Sequence, residues 1–435
     1  MTPTLPHALP DYCGGSLVNL MRSVAAALGT DTPYPPLAAL PPAALAGARH
    51  LVLLVVDGLG LDFLLGHEGA LRRHLRGQLT SVFPSTTASA IPVFLTGLAP
   101  QQHGLTGWHM YFREIGAVAA PLPFRLRTGR HSVRDAGVTP AQLFGLTPLF
   151  DRLPVACHVV SPQQIIDSDF NVALSGRAQR HGYQTLDELF GVLAGLVQST
   201  APRSYVYAYW SQLDSLAHEY GIASPQAAAA FATLDAAFAR LLDAAHGTGS
   251  VILVTADHGF IDCDETIDLD DHPALRDTLR LPLCGEPRAS FAYVREGQAQ
   301  RFQDYVHTRL AGLVDVLPSE AVLNQGWFGA GATHPRLTDR IGDYLLLPRG
   351  QAILRDWLVG ETRHVHIGVH GGVSTASTTM GAMREPTPRT YRRPRRCQRC
   401  GNDRAARRRG DGCVSGAAAA QQPGGRVRDG LSRAP

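Results

Sequence analysis

Leu51-Val-Leu-Leu-Val-Val56, followed at once by Asp57-Gly58, decides the fold. A run of consecutive aliphatic residues leaves no polar face. A strand here must be buried on both sides, as in the centre of a parallel sheet. Two other stretches read alike. Tyr205-Val-Tyr-Ala-Tyr-Trp210 is β-prone and leads to Asp214, and Ser250-Val-Ile-Leu-Val-Thr255 ends in Asp257-His258-Gly259. Between them, Thr185 to Val197 and Pro225 to His246 repeat apolar residues with the period of a helix. Strands alternating with helices predict an α/β fold, a mostly parallel central sheet with helices on both faces. Ligands of such sheets bind beyond the carboxyl ends of the strands. Three strands each deliver a carboxylate to that edge: Asp57, Asp214 and Asp257.

The chain has 435 residues, 45% apolar and 18% charged. That composition is ordinary for a globular protein, and the length predicts one large α/β domain or two domains. No run of about 18 apolar residues occurs, so no membrane span is expected. Met1 to Pro10 holds prolines and no Arg or Lys, which argues against a secretory signal. All 40 basic residues are arginine. A Schiff-base lysine, a phosphate-loop lysine and a kinase lysine are thereby excluded. The seven cysteines are scattered, which reads as reduced thiols of a cytoplasmic protein.

The net charge of +3 hides an asymmetry. Residues 375–435 hold 14 Arg against four acids, so this tail is +10 and residues 1–374 are −7. An acidic body gives no general nucleic-acid surface. The tail has arginine runs, an alanine run and no hydrophobic periodicity, and is expected not to order itself. Its Cys397-Gln-Arg-Cys400 has zinc-knuckle spacing without a second ligand pair. The abrupt change after His370-Gly-Gly reads as an aberrant, out-of-frame terminus. The expected organisation is therefore an N-terminal segment packed on the core (1–44), a core (45–262), an inserted cap subdomain (263–365), a return to the core (366–374) and a basic tail (375–435). Inside the cap, strands are predicted near Ala289 to Val294 and Tyr344 to Leu347.

The acids come with histidines at ligand spacing. Asp214-Ser-Leu-Ala-His218 puts Asp and His on one face of a helical turn. Asp257-His258 closes a strand, with Gly259 letting the backbone turn. His364, His366 and His370 follow later. Asp and His together are the donor set of zinc or a similar divalent ion. Taken singly, each has a plain alternative: a turn acid, a helix salt bridge, a surface histidine. Ser81-Val-Phe-Pro-Ser-Thr-Thr87 opens a predicted helix that runs toward Leu95-Thr-Gly97. Ser and Thr there are first of all caps. A hydroxyl in that place also feels the positive end of the helix dipole, and a metal ion would make its alkoxide available.

The order Asp57-Gly58, Val82-Phe-Pro-Ser-Thr-Thr87, Thr96-Gly97, His103-Gly104, Asp214-x3-His218, Asp257-His258-Gly259 and His370-Gly371 resembles the nucleotide pyrophosphatase/phosphodiesterase branch of the alkaline phosphatase superfamily. The resemblance spans roughly residues 45–374. It implies an alkaline-phosphatase-like fold and two divalent metal ions, zinc first and manganese second. One ion would be held by Asp214, His218 and His370, the other by Asp57, Asp257 and His258. Thr87 would be the nucleophile, since it lies three residues after Pro84, and a phospho-threonine enzyme the intermediate. The implied substrate is a small phosphodiester or pyrophosphate. Two departures stand out. Trp108 occupies about the place where well-studied members carry a phosphate-binding Asn, leaving the Thr87 amide as substitute. No arginine matches the phosphate arginine of the superfamily's monoesterases by motif. The alternatives are a phosphomonoesterase or phosphonate hydrolase of the same superfamily, and an inactive remnant with a nucleic-acid-binding tail.

Overall fold

A computed structural model describes residues 8–129, 131–363 and 365–386, all within one compact unit. His364, the Cys397/Cys400 pair and the arginine runs lie outside the described residues. The central sheet has seven strands: β1 (His50–Val56), β2 (Leu75–Thr80), β3 (Ala156–Pro162), β4 (Gln179–Tyr183), β5 (Ser204–Trp210), β6 (Val251–Thr255) and β7 (Thr379–Pro386). Their order is β2-β7-β6-β1-β5-β3-β4. The five strands β6-β1-β5-β3-β4 are parallel. Every residue of β1, β5 and β6 is buried, which is why their sequences show no alternation. Val56 pairs with Trp210 and Val55 with Thr255, so the three strands end level.

The helices used below are α1 (Leu17–Ala27), α2 (Thr87–Thr96), α3 (Leu186–Gln198), α4 (Gln212–Tyr220) and α5 (Pro225–Ala245). The Thr185 hydroxyl caps α3 by accepting from the Glu188 amide, and Ser224 caps α5 through the Ala227 amide. These caps fix both helices within a residue of the expected spans. Leu17, Leu20, Met21 and Val24 of α1 join the main core, so the N-terminal segment packs there.

Residues 263–365 fold around a four-stranded antiparallel sheet ordered Cys284–Glu286, Ala289–Ala292, Tyr344–Pro348, Val314–Pro318. One cluster in it, with Leu269, Phe302, Val306 and Leu346, is its own. A second, with Phe291, Phe328 and Leu345, also contains Phe83 and Val118. The insertion is thus joined to the loop that precedes α2. A three-stranded sheet over Met110–Phe112, Ala117–Ala120 and Arg125–Leu126 was not legible in the sequence.

The boundary expected at residue 374 is corrected. Thr375–Thr378 forms a helical turn, and β7 enters the central sheet antiparallel to both β6 and β2. Met380 is fully buried, and a Cβ on Gly381 would lie 2.8 Å from Leu75 Cδ1. This strand is specified by two neighbours offering backbone partners and not by a periodic face of its own. Its short, small-residue sequence therefore read as tail.

Candidate active site

The level ends of β1, β5 and β6 assemble the site. Asp57 follows β1 directly, and its amide donates to the Trp210 carbonyl at 2.9 Å. Gly58 has φ +78, and a Cβ there would lie 2.5 Å from the Phe260 ring, so the turn accepts only glycine. Asp214 and His218 lie on α4, just past β5. Asp257 and His258 follow β6 after Ala256. His370 arrives from the far end of the insertion. Gly368–Val369 pairs antiparallel with Ile261–Asp262, the Ile367 amide donates to the His218 carbonyl, and the Gly371 amide donates to the Ser85 carbonyl, both at 2.9 Å.

The structure brings all six expected ligand residues together, in the two expected groups. Asp214, His218 and His370 offer donor atoms within 4.8 Å of one another, and so do Asp57, Asp257 and His258. His258 Nε2 lies 3.2 Å from Asp57 Oδ1 and 3.5 Å from Asp257 Oδ2. His218 Nε2 lies 3.4 Å and His370 Nε2 3.8 Å from Asp214 Oδ1. The His258 and His370 rings stack at 3.7 Å, so the two groups adjoin.

The remaining valences fit cations. Asp57 Oδ1, Asp214 Oδ1 and Asp257 Oδ2 are buried acceptors without a hydrogen-bond partner. Burial pushes Asp57 up to about 6, and burial with the Asp57 charge pushes Asp257 up to about 7. Asp214 is raised by burial and then by both neighbouring carboxylates. Burial and neighbouring histidines lower His218 to about 3 and hold His370 well below its ordinary value, so both are neutral lone-pair donors. Buried carboxylates without counter-charge beside neutral imidazoles are the condition that divalent ions relieve.

Thr87 is the first residue of α2, and its Oγ1 lies 3.0 Å from His258 Nε2, among the Asp57 group. The neighbouring Thr86 is turned away: its hydroxyl donates to Glu286 Oε1 at 2.7 Å. Of the two threonines, Thr87 is the one whose hydroxyl lies beside the Asp57 group. His103 is fully buried with Nε2 3.1 Å from the Ser89 carbonyl, tying the next turn to α2.

Sequence reading missed four residues at this edge. The Tyr209 hydroxyl, in a strand read only as aromatic and β-prone, donates to Asp57 Oδ2 and leaves Oδ1 to face the group. Glu286, from the insertion, is buried and also accepts from the Trp108 amide at 2.7 Å. Burial lifts Glu286 to about 7 against those two hydrogen bonds. Arg288 and Arg355 come from the same insertion. The Trp108 ring itself is 43% exposed. His366 lies beside the site, its ring 4.6 Å from that of His218.

A parallel α/β sheet carries two Asp/His groups and a helix-terminal threonine at its carboxyl edge, a donor set and a hydroxyl suited to hydrolysis of a phosphoester. The chain belongs to the type I phosphodiesterase/nucleotide pyrophosphatase family, whose model matches residues 51–373. Solved structures share the fold. Murine ectonucleotide pyrophosphatase/phosphodiesterase 5 is 15% identical with a TM-score of 0.59, over 76% of this chain and 87% of that one. The human counterpart is 16% identical with a TM-score of 0.58, over 77% and 87%. Phosphonoacetate hydrolase from Sinorhizobium meliloti 1021 is 19% identical with a TM-score of 0.54, over 78% and 90%. No curated protein matches the sequence.

Proposed function

We propose that the chain is a two-metal phosphodiesterase or pyrophosphatase acting through a phospho-threonine enzyme. The observation that carries this is the pair of Asp/His groups with three buried, unpartnered carboxylate oxygens, one group touching Thr87. Asp214, His218 and His370 would hold one divalent ion, and Asp57, Asp257 and His258 the other. Such ions supply Lewis-acid stabilisation of the attacking and leaving oxygens. Thr87 Oγ1, its proton released to solvent, would attack phosphorus in line as the P–O bond to the leaving group breaks, the leaving oxygen departing with the bonding pair. Water then cleaves the phospho-threonine and restores the hydroxyl. The amides at the start of α2 would take the phosphoryl oxygens, the Trp108 amide being already engaged by Glu286. Three carboxylates with three imidazoles favour zinc, with manganese the second choice.

The similar murine enzyme has been solved in an inactive threonine-to-alanine form in complex with AMP, and the bacterial hydrolase with phosphonoformate and phosphonoacetate. Both support a small phosphoryl substrate, and the second supports hydrolysis of a phosphonate as the alternative reading. Assembly of the whole constellation speaks against an inactive remnant. Among the described residues no helix is long and apolar enough to cross a membrane. Cys13, Cys157, Cys263 and Cys284 are free thiols, in keeping with a cytoplasmic setting.

Metal content and bis(p-nitrophenyl) phosphate hydrolysis, measured on one purified sample, test the proposal. About two zinc per chain with turnover, both reduced in Asp257→Ala, is the expected result. Two zinc without turnover on diester, monoester or phosphonate would overturn it.

A further inference from the structure

The turn Gly285-Glu286-Pro287-Arg288 of the insertion reaches the edge of the site. Its Glu286 holds Thr86 and the Trp108 amide. Its Arg288 is 4% exposed, with Nη1 donating to the Ala352 carbonyl at 2.7 Å and Nε left without a partner. Arg355, on the strand Ala352–Arg355, is half-buried, its guanidinium lying 5.4 Å over the Trp357 ring and its Nη2 left without a hydrogen-bond partner. Both guanidinium groups have their pKa lowered, burial being the first cause. Asp264 acts on Arg288, and Glu286 and Asp268 on Arg355, through space only. A buried cation without a contacting anion is costly, and such cations are ordinarily matched.

Their location says what would match them. A Cβ on Gly372 would lie 2.9 Å from Arg288 Nε, and Gly372 is two residues past His370. The Arg355 charge acts on both Glu286 and His218. Arg288 thus packs against the loop that carries His370, and Arg355 lies within electrostatic reach of His218 and Glu286. Charge counting points the same way. Two divalent cations would be offset by Asp57, Asp214, Asp257 and Glu286, leaving both arginine charges for a ligand.

We propose that Arg288 and Arg355 form an anion subsite beside the Asp214/His218/His370 group, for substrates carrying a second oxyanion, a carboxylate or phosphate, next to the phosphoryl group. This rests on the two-metal hydrolase reading and narrows its substrate class. Paired, planar guanidinium donors suit a carboxylate or phosphate and add nothing for a neutral ester arm. Because the arginines come from the insertion, no core motif announces them.

The test is calorimetric titration of full-length, zinc-loaded protein with phosphonoacetate, inorganic pyrophosphate and ethylphosphonate. The expected result is binding of at least one bifunctional anion at least about tenfold tighter than ethylphosphonate, the scale of one charge-assisted hydrogen bond. A preference for phosphonoacetate identifies a carboxylate, and one for pyrophosphate a phosphate. Arg288→Gln and Arg355→Gln should each shrink that ratio several-fold, and Arg355→Lys should retain most of it. Equal binding of all three probes by the wild type overturns the subsite, whether or not the variants fold. So does a ratio that survives in both glutamine variants. Turnover of bis(p-nitrophenyl) phosphate without any preference refutes the subsite alone. Preference without turnover of any ester refutes the hydrolase reading alone.

Discussion

The strand that the sequence disguised gives the sharpest test of the fold. Met380 is fully buried in β7, opposite Leu79 of β2 and bridged to Gly60 just past β1. Truncating a buried methionine to alanine costs about 2–5 kcal/mol, transfer and cavity together. Total stability of a folded domain is about 5–15 kcal/mol, so Met380→Ala should remove a sizeable part of it. Urea titration followed by circular dichroism reads this as a lower midpoint at unchanged slope. Ending the chain at Ser374 goes further, since it strips the partner from β2 and from one side of β6. Asp257 and His258 sit at the end of β6, so that shortened chain should also lose zinc. A chain ending at Arg389 should match the full length in both stability and zinc content. A Met380→Ala cost below about 1 kcal/mol would be outside the cavity range and would refute the packing. So would a chain ending at Ser374 that folds and binds zinc like the chain ending at Arg389.

Three further predictions concern the site. Thr87→Ala should abolish steady-state ester hydrolysis while leaving zinc content unchanged, and measurable turnover would reassign the nucleophile. Tyr209→Phe, which frees Asp57 Oδ2, should weaken zinc binding by about 10–100-fold in a chelator competition, as loss of a ligand's orienting partner does; an unchanged affinity would show that Asp57 is held by its neighbours alone. With metal chelated, Glu286→Gln should flatten the loss of stability that the raised carboxylates impose as pH rises through 7. Asp257 and Glu286 are both raised to about 7, so the stability they contribute is full below the ordinary carboxylate range and is lost through the folded pKa. Histidines held neutral by burial, His218 and His370 among them, still bind protons in the unfolded chain near pH 7 and act in the opposite direction, and comparing the two proteins cancels them. An equal pH dependence of melting temperature in the chelated wild type and in Glu286→Gln would contradict this.

What was legible in the sequence is what is encoded locally. β1, β5 and β6 announce themselves because burial on both faces demands unbroken apolar runs. Asp57, Asp214, His218, Asp257 and His258 are legible because each lies within a short step of a strand end, at spacings that only a strand exit or a helical turn turns into proximity. His370 came through the family pattern, since more than a hundred residues of insertion part it from His258. β7 escaped because its place depends on two distant strands offering it hydrogen bonds. Glu286, Arg288 and Arg355 escaped because nothing in their spacing relates them; packing around Phe83 and Phe291 carries their turn to the site. The division has a consequence for function. Asp57, Thr87, Asp214, His218, Asp257 and His258 are carried by the sheet edge, on strand ends and the helices beside them. Glu286, Arg288 and Arg355 come from the insertion, apart from those elements. On the proposed subsite, exchanging Arg288 and Arg355 should change which anion is accepted while the two Asp/His groups stay as they are.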